Sequence, residues 1–213
     1  MANRKAELAE RQARLAAIQA AQRKSERKRT TIIAAAVGAL IVLLVGATIY
    51  FLVQQNRVNA ELREAAEAPI DGVEEFADQT QNHVEGDVEY AQNPPVGGDH
   101  NAVWQNCGVY AEPVTEENAV HSMEHGAVWI TYDPELPADQ LEELTTRAAN
   151  NNFILLSPRA DLPSPVVLSA WGVQLQLQEA SDPRAGVFLE KYVRGEQTPE
   201  PGAPCSGGTG TPE

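Results

Sequence analysis

Hydrophobic and polar positions fall into two regimes along the chain. From Thr30 to Asn56 there is no charged residue, and Thr31 to Val53 is an almost unbroken apolar run of 23 residues. At about 1.5 Å per residue, a helix of that length reaches roughly 34 Å, enough to cross a hydrocarbon core about 30 Å thick with some tilt. Tyr50, near its distal end, suits a membrane interface.

Beyond residue 80 the apolar positions come in short runs. Residues 127–132 (AVWITY) and 152–158 (NFILLSP) read as buried strands. Residues 137–150 place Leu141, Leu144 and Ala148 on one helical face after Pro137. Residues 166–171 and 173–178 read as a hairpin, with Val173, Leu175 and Leu177 inward. Asp182-Pro183 opens a last helix that stops at Gly195. The order β-α-β-β-β-α predicts an α+β fold: a small mixed sheet-and-helix domain behind a single N-terminal transmembrane helix.

Charge orients this arrangement. Residues 1–29 hold nine basic groups and three acids, a net of +6, whereas the remainder carries −20 of the overall −14. A basic flank stays cytoplasmic, so residues 30–53 read as an uncleaved signal anchor with the acidic bulk outside. A cleaved signal peptide is the rival reading, but its apolar core is shorter, about 7–15 residues. The leader is rich in helix formers and pairs Glu7 with Arg11 and Glu10 with Arg14 at i, i+4. It suits a helix lying on anionic lipid, where each basic group contributes about 1 kcal/mol. The acidic total excludes a generic nucleic-acid binder. The expected parts are a basic cytoplasmic helix (1–29), a transmembrane helix (30–53), a juxtamembrane helix and acidic spacer (54–80), the extracytoplasmic domain (81–195) and a flexible Pro/Gly-rich tail (196–213).

The chemistry concentrates at the start of that domain. All four histidines, His83, His100, His121 and His125, lie between residues 83 and 125. His121 and His125 share the motif His121-Ser122-Met123-Glu124-His125-Gly126. On one helix stopped by Gly126 they project from the same face at i, i+4, a spacing that lets two imidazoles reach one metal ion. Glu124 is a candidate ligand or general base, and the Pro94-Pro95 turn aims His100 inward. The metal candidates are therefore His121, His125, His100, His83 and Glu124. A nitrogen-rich set suits Zn or Cu, and a Met123 ligand would shift it toward Cu(I). No organic cofactor is indicated. Against this stands a structural role for the same histidines, in hydrogen bonds and caps. The string also matches the inverted zinc-peptidase motif, but a domain of about 115 residues is small for such an enzyme.

The two cysteines, Cys107 and Cys205, read as a disulfide outside the membrane, with Cys107 as a metal ligand the alternative. A Cys-x-x-Cys is missing, so the similarity of the strand order to the C-terminal half of a thioredoxin-like fold, with Pro165 at its cis-proline position, carries no thiol–disulfide exchange.

His83-Val84, Tyr90, Pro94 to His100, Trp104, Cys107 to Tyr110 and His121 to Gly126 together resemble a family of uncharacterised bacterial, mainly actinobacterial, proteins of unknown function. That family has Pro-Pro-x-Ser-Gly-x-His followed by His-x-x-Glu-His-Gly; here Gly97 stands at the serine, which removes a hydroxyl from any hydrolytic scheme. The resemblance covers residues 81–195 and implies a membrane anchor and a shared histidine set, with no activity attached. Three functions follow as expectations. The first is an extracytoplasmic metal protein for binding or delivery rather than catalysis. The second is an accessory or assembly subunit of a membrane complex with structural histidines. The third is a metal-dependent hydrolase with Glu124 as its one catalytic candidate.

Overall fold

A computed structural model of the chain describes residues 2–213, with side chains from residue 7 onward. The side chains of Arg4 and Lys5, counted in the basic leader, lie outside the described ones. The chain divides into two compact units, Met1–Val58 and Asn59–Glu213.

The first unit is helical throughout its described length, as part of α1 (Ala2–Glu67). Its apolar run is exposed from Ile32 to Val53, with Val42, Leu43 and Phe51 all about 70% open. This is the one helix among the described residues long and apolar enough to cross a membrane. The run is not packed inside the fold.

The second unit is an α+β domain. After the end of α1 come β1 (Val73–Glu75), β2 (Gly108–Val109), α2 (Glu116–Glu124), β3 (Val128–Tyr132) and α3 (Ala138–Ala149). Then follow β4 (Ile154–Pro158), β5 (Val166–Ala170), β6 (Val173–Leu177) and α4 (Pro183–Tyr192). The six strands form one sheet in the order β1-β6-β5-β3-β4-β2. β3 and β4 are parallel and joined through α3, while β5 and β6 form an antiparallel hairpin beside β3. Ser157 on β4 accepts a hydrogen bond from the Trp129 indole of β3 at 3.0 Å.

Strand alternation divides the interior into two layers. Val128, Ile130, Ile154, Leu156, Val166, Leu168, Val173, Leu175 and Leu177 face α3 and α4, where Leu144, Ala148, Ala185, Phe188 and Tyr192 close the main core. Trp129 and Leu155, one position out of step, face the other way and pack against Ala119, Val120 and Met123 of α2. With both faces covered, the central strands are buried at every residue, which is why they read as continuous apolar runs. α4 starts where Asp182 accepts a bond from the Arg184 amide at 2.9 Å, followed by Pro183 in the first turn.

Two features differ from the sequence expectation. The spacer before residue 81 contributes β1, whose Val73 pairs with Leu175 at the edge of the sheet. A strand of three residues is too short to show a period, and Glu74 and Glu75 disguise it as spacer. The tail is not loose. Cys107 and Cys205 form a disulfide, and the Cys107 amide also donates to the Cys205 carbonyl at 2.8 Å. Further along, the Asn106 amide donates to Thr209, the Thr209 amide to Trp104 and the Glu213 amide to Val109, each at 2.9 Å. Local composition cannot reveal such long-range ties. Pro165 precedes β5 as expected, but the cis peptide among the described residues joins Asn93 to Pro94.

The disulfide links positions 98 apart in sequence. Replacing both cysteines with serine should lower stability by about 2–5 kcal/mol. Urea unfolding of the full chain under oxidising conditions reads this as a shift in midpoint; an unchanged midpoint would mean that the tail closes without its crosslink.

Candidate metal centre

α2 presents its acidic first turn, Glu116 and Glu117, to the positive end of the helix dipole. Its apolar face is fixed to the sheet by Ala119, Val120 and Met123. The Ser122 hydroxyl donates to the Gln105 carbonyl at 2.6 Å, tying the helix to the preceding loop. The helix stops at Gly126, whose φ of +100° no side-chain-bearing residue adopts without strain. A Cβ there would also stand 3.0 Å from the Arg194 backbone. His121 and Glu124, three apart, then share the face that meets the loop carrying His83 and His100.

That loop is held by backbone. His83 and His100 form an isolated parallel bridge: the Val84 amide donates to the His100 carbonyl at 2.8 Å and the His100 amide to Asn82 at 3.0 Å. Asn82 also donates through its side chain to Asp99 at 2.8 Å. Hydrogen bonds from Thr80 and Asn82 hold the Asp99 carboxyl below the usual range. The bridge sets two imidazoles side by side, with ring centres 5.0 Å apart.

Four donors converge as a result. His83, His100, His121 and Glu124 each offer one ligand atom, all within 4.8 Å of one another. From Glu124 Oε2, the Nε2 atoms lie at 3.0 Å (His100), 3.8 Å (His83) and 4.0 Å (His121). Donors about 2.0–2.1 Å from a tetrahedral ion stand about 3.4 Å apart, so these separations bracket the edge of such a site.

The hydrogen bonds orient the lone pairs. His100 Nδ1 lies 2.8 Å from the Gly98 carbonyl and His121 Nδ1 lies 2.7 Å from that of Asn101. A carbonyl only accepts, so both Nδ1 atoms carry the proton. In the neutral rings, both Nε2 atoms then turn a lone pair toward the Glu124 carboxylate. Two acceptors at 3.0 Å attract only through a positive centre between them, a proton or a metal ion. Burial pushes the His121 pKa down to about 4; the Asn101 carbonyl opposes that shift, while the neighbouring histidines reinforce it. Burial therefore favours the neutral His121 imidazole, whose Nε2 keeps a lone pair.

The fourth histidine stands apart. His125 caps α2, its Nδ1 donates to the Pro204 carbonyl at 2.7 Å, and its Nε2 faces Glu200 at 3.6 Å. The rings of His121 and His125 touch, with centres 4.5 Å apart, but their nitrogens point to different partners. The pair that meets is thus His121 and Glu124 at i, i+3, rather than His121 and His125 at i, i+4, and the zinc-peptidase use of this string has no counterpart here. Met123 is fully buried in the core and Cys107 is in the disulfide, so neither joins the donors.

Two tryptophans flank the cluster: Trp171, assigned no site role from sequence, against His100 at 5.9 Å, and Trp104, one of the family-like positions, against His121 at 5.8 Å. The orienting carbonyls of Gly98 and Asn101 carry no side-chain signal; only the closeness of Gly98 to His100 in sequence could have suggested one of them.

Fold and cluster together define a class: an α+β domain, preceded by a long apolar helix, in which three histidines and a glutamate surround one point. The chain belongs to the family described as Protein of unknown function (DUF3105), whose model matches residues 83–207. The matched span opens on the first of the clustered histidines and closes just past Cys205. Neither the curated proteins nor the solved structures gave a match.

Gly126→Ala should destabilise the domain by at least about 1–2 kcal/mol, measurable by chemical denaturation, because the left-handed backbone and the close Arg194 act together. In chelator-treated protein, NMR of the imidazole carbons should show His121 titrating near pH 4, below its ordinary 6.5. Since folding favours its neutral form, the stability this group contributes is intact above about pH 6.5 and declines as pH falls toward 4. A midpoint near 6.5 would contradict the desolvated geometry.

Proposed function

We propose that this protein is a membrane-anchored, extracytoplasmic metal protein that holds one Zn(II) or Cu(II) ion through His83, His100, His121 and Glu124, for binding or delivery rather than catalysis. The observation that supports the reading is the convergence of four donor atoms within 4.8 Å, with two imidazoles already fixed in the ligating tautomer. Three neutral nitrogens and one carboxylate oxygen suit Zn(II) or Cu(II), and without thiolate or thioether they do not favour Cu(I). Binding is preferred to hydrolysis because four protein donor atoms converge, enough for a closed tetrahedral set, whereas a catalytic zinc keeps one position open. Glu124 has a side chain only 3% exposed and turned to the imidazoles, which supports a ligand role over that of a free base.

The basic residues 1–29 support an N-terminus on the cytoplasmic side in contact with anionic lipid, with residues 59–213 outside. The disulfide supports an oxidising location. The negative charge of the domain argues against nucleic acid as a partner. The Pro94-Pro95, Gly98, His100 and His121 to Gly126 positions resemble the pattern of membrane-anchored, mainly actinobacterial proteins of unknown function, which supports the anchored reading.

The test is elemental analysis of the full chain in detergent, stripped with chelator and reloaded with Zn(II) or Cu(II). About one equivalent should remain after gel filtration, and the His121→Ala/Glu124→Gln double variant should lose it. Wild-type protein that retains neither metal would overturn the reading.

A further inference from the structure

Resting on that metal reading, we infer that His83 is the exchange ligand of the centre: the metal enters and leaves where the His83 imidazole is replaced by an incoming neutral nitrogen donor, the exposed imidazole of an acceptor protein. The four donors are unequal. The side chains of His100, Glu124 and His121 are 0%, 3% and 5% exposed, whereas that of His83 is 47% exposed. Each buried imidazole is clamped at Nδ1 by a backbone carbonyl, of Gly98 or Asn101. Glu124 is fixed by the helix and by its own carbonyl, which accepts the Glu200 amide at 3.1 Å. Among the described hydrogen bonds, none reaches the His83 ring; the backbone bridge holds the residue while its ring stacks on His121, 4.8 Å away and 21° from parallel, and meets His100 edge-on at 5.0 Å.

Among the four donors, the exposed side is that of His83. Trp171 covers the His100 side and Trp104 the His121 side. Met123, Trp129 and Leu155 pack together beneath α2. Solvent reaches the cluster past His83. Three rigid ligands with one hinged, wet ligand form a centre that loosens at a single bond. In the exchange, the bond from His83 Nε2 to the metal breaks as the bond from the incoming nitrogen forms. Both imidazoles are neutral, so the charge and oxidation state of the metal do not change. The remaining donors keep hold of the ion while the acceptor completes its own set.

The experiment uses the full chain in detergent loaded with Cu(II), comparing wild type, His83→Ala, His83→Gln and His100→Ala. Three quantities are read: bound copper, the rate of transfer to an excess of chelator, and the electron paramagnetic resonance signal during titration with imidazole itself. His83→Ala and His83→Gln should keep about one copper yet pass it on at least tenfold faster, with a spectrum showing one nitrogen fewer. Imidazole should return the His83→Ala spectrum to that of wild type and slow its transfer. His100→Ala, with its gap buried, should lose copper and gain nothing from imidazole. If both His83 variants match wild type in spectrum and rate, His83 is no ligand, and the inference falls while metal binding by His100, His121 and Glu124 stands. If they lose copper and imidazole does not restore it, His83 is needed to retain the ion rather than to exchange it, and the inference falls while the metal reading stands. Wild type that takes up no copper, and no zinc in parallel loading, defeats the metal reading and this inference with it.

Discussion

A carboxylate withdrawn from water is the constraint around which this domain is arranged. Leaving Glu124 charged with a side chain only 3% exposed would cost several kcal/mol without compensation. Its partners come from three places: His121 one turn back on the same helix, and His83 and His100 from separate ends of the preceding loop. The bridge between residues 83 and 100 and the hold of Asp99 on Asn82 both act to keep that loop around the carboxylate. The main core under α3 and α4 is indifferent to all this. It fixes the sheet, and the sheet, through Trp129 and Leu155, fixes the helix that carries the acid.

Polarity is therefore segregated by sheet face. The face toward α3 and α4 is almost wholly aliphatic and aromatic. The opposite face admits Ser169 and Gln174, with the Gln174 amide donating to Ser169 at 3.1 Å and to the Pro94 carbonyl at 2.9 Å. Those bonds seat the turn that leads into His100. A one-residue slip in β6 would exchange Gln174 with Leu175 and break the core and the seat of the loop together.

Periodicity carried much of this architecture. The strands at 128–132, 154–158, 166–170 and 173–177 and helices α3 and α4 fall within a residue or two of where alternating and helical patterns put them. Each is long enough to show its period. β1 and β2, with three and two residues, are not. For the cluster, the scarcity of histidine was the useful signal, because four residues confined to one segment drew attention to it. Which three converge was not readable. A helical wheel puts His121 and His125 on one face, yet the direction each ring takes depends on Asn101 and Pro204, which reach them across 20 and 79 residues of chain. The tail misled for a similar reason: its prolines and glycines describe a chain free of local structure, and the order comes from the disulfide and from β2.

The closure of that tail also sets an order of assembly. Glu200 and Pro204 hold the end of α2, and Cys205 fastens them to Cys107. They follow every strand and helix of the domain in chain order, and α1 precedes them all. The helix that carries His121 and Glu124 is therefore left without its final clasp until residues 200–205 have been synthesised. A nascent chain has its apolar helix long before it has a finished cluster, so the cluster matures after the elements around it, and a chain cut before residue 200 would forfeit its clasp.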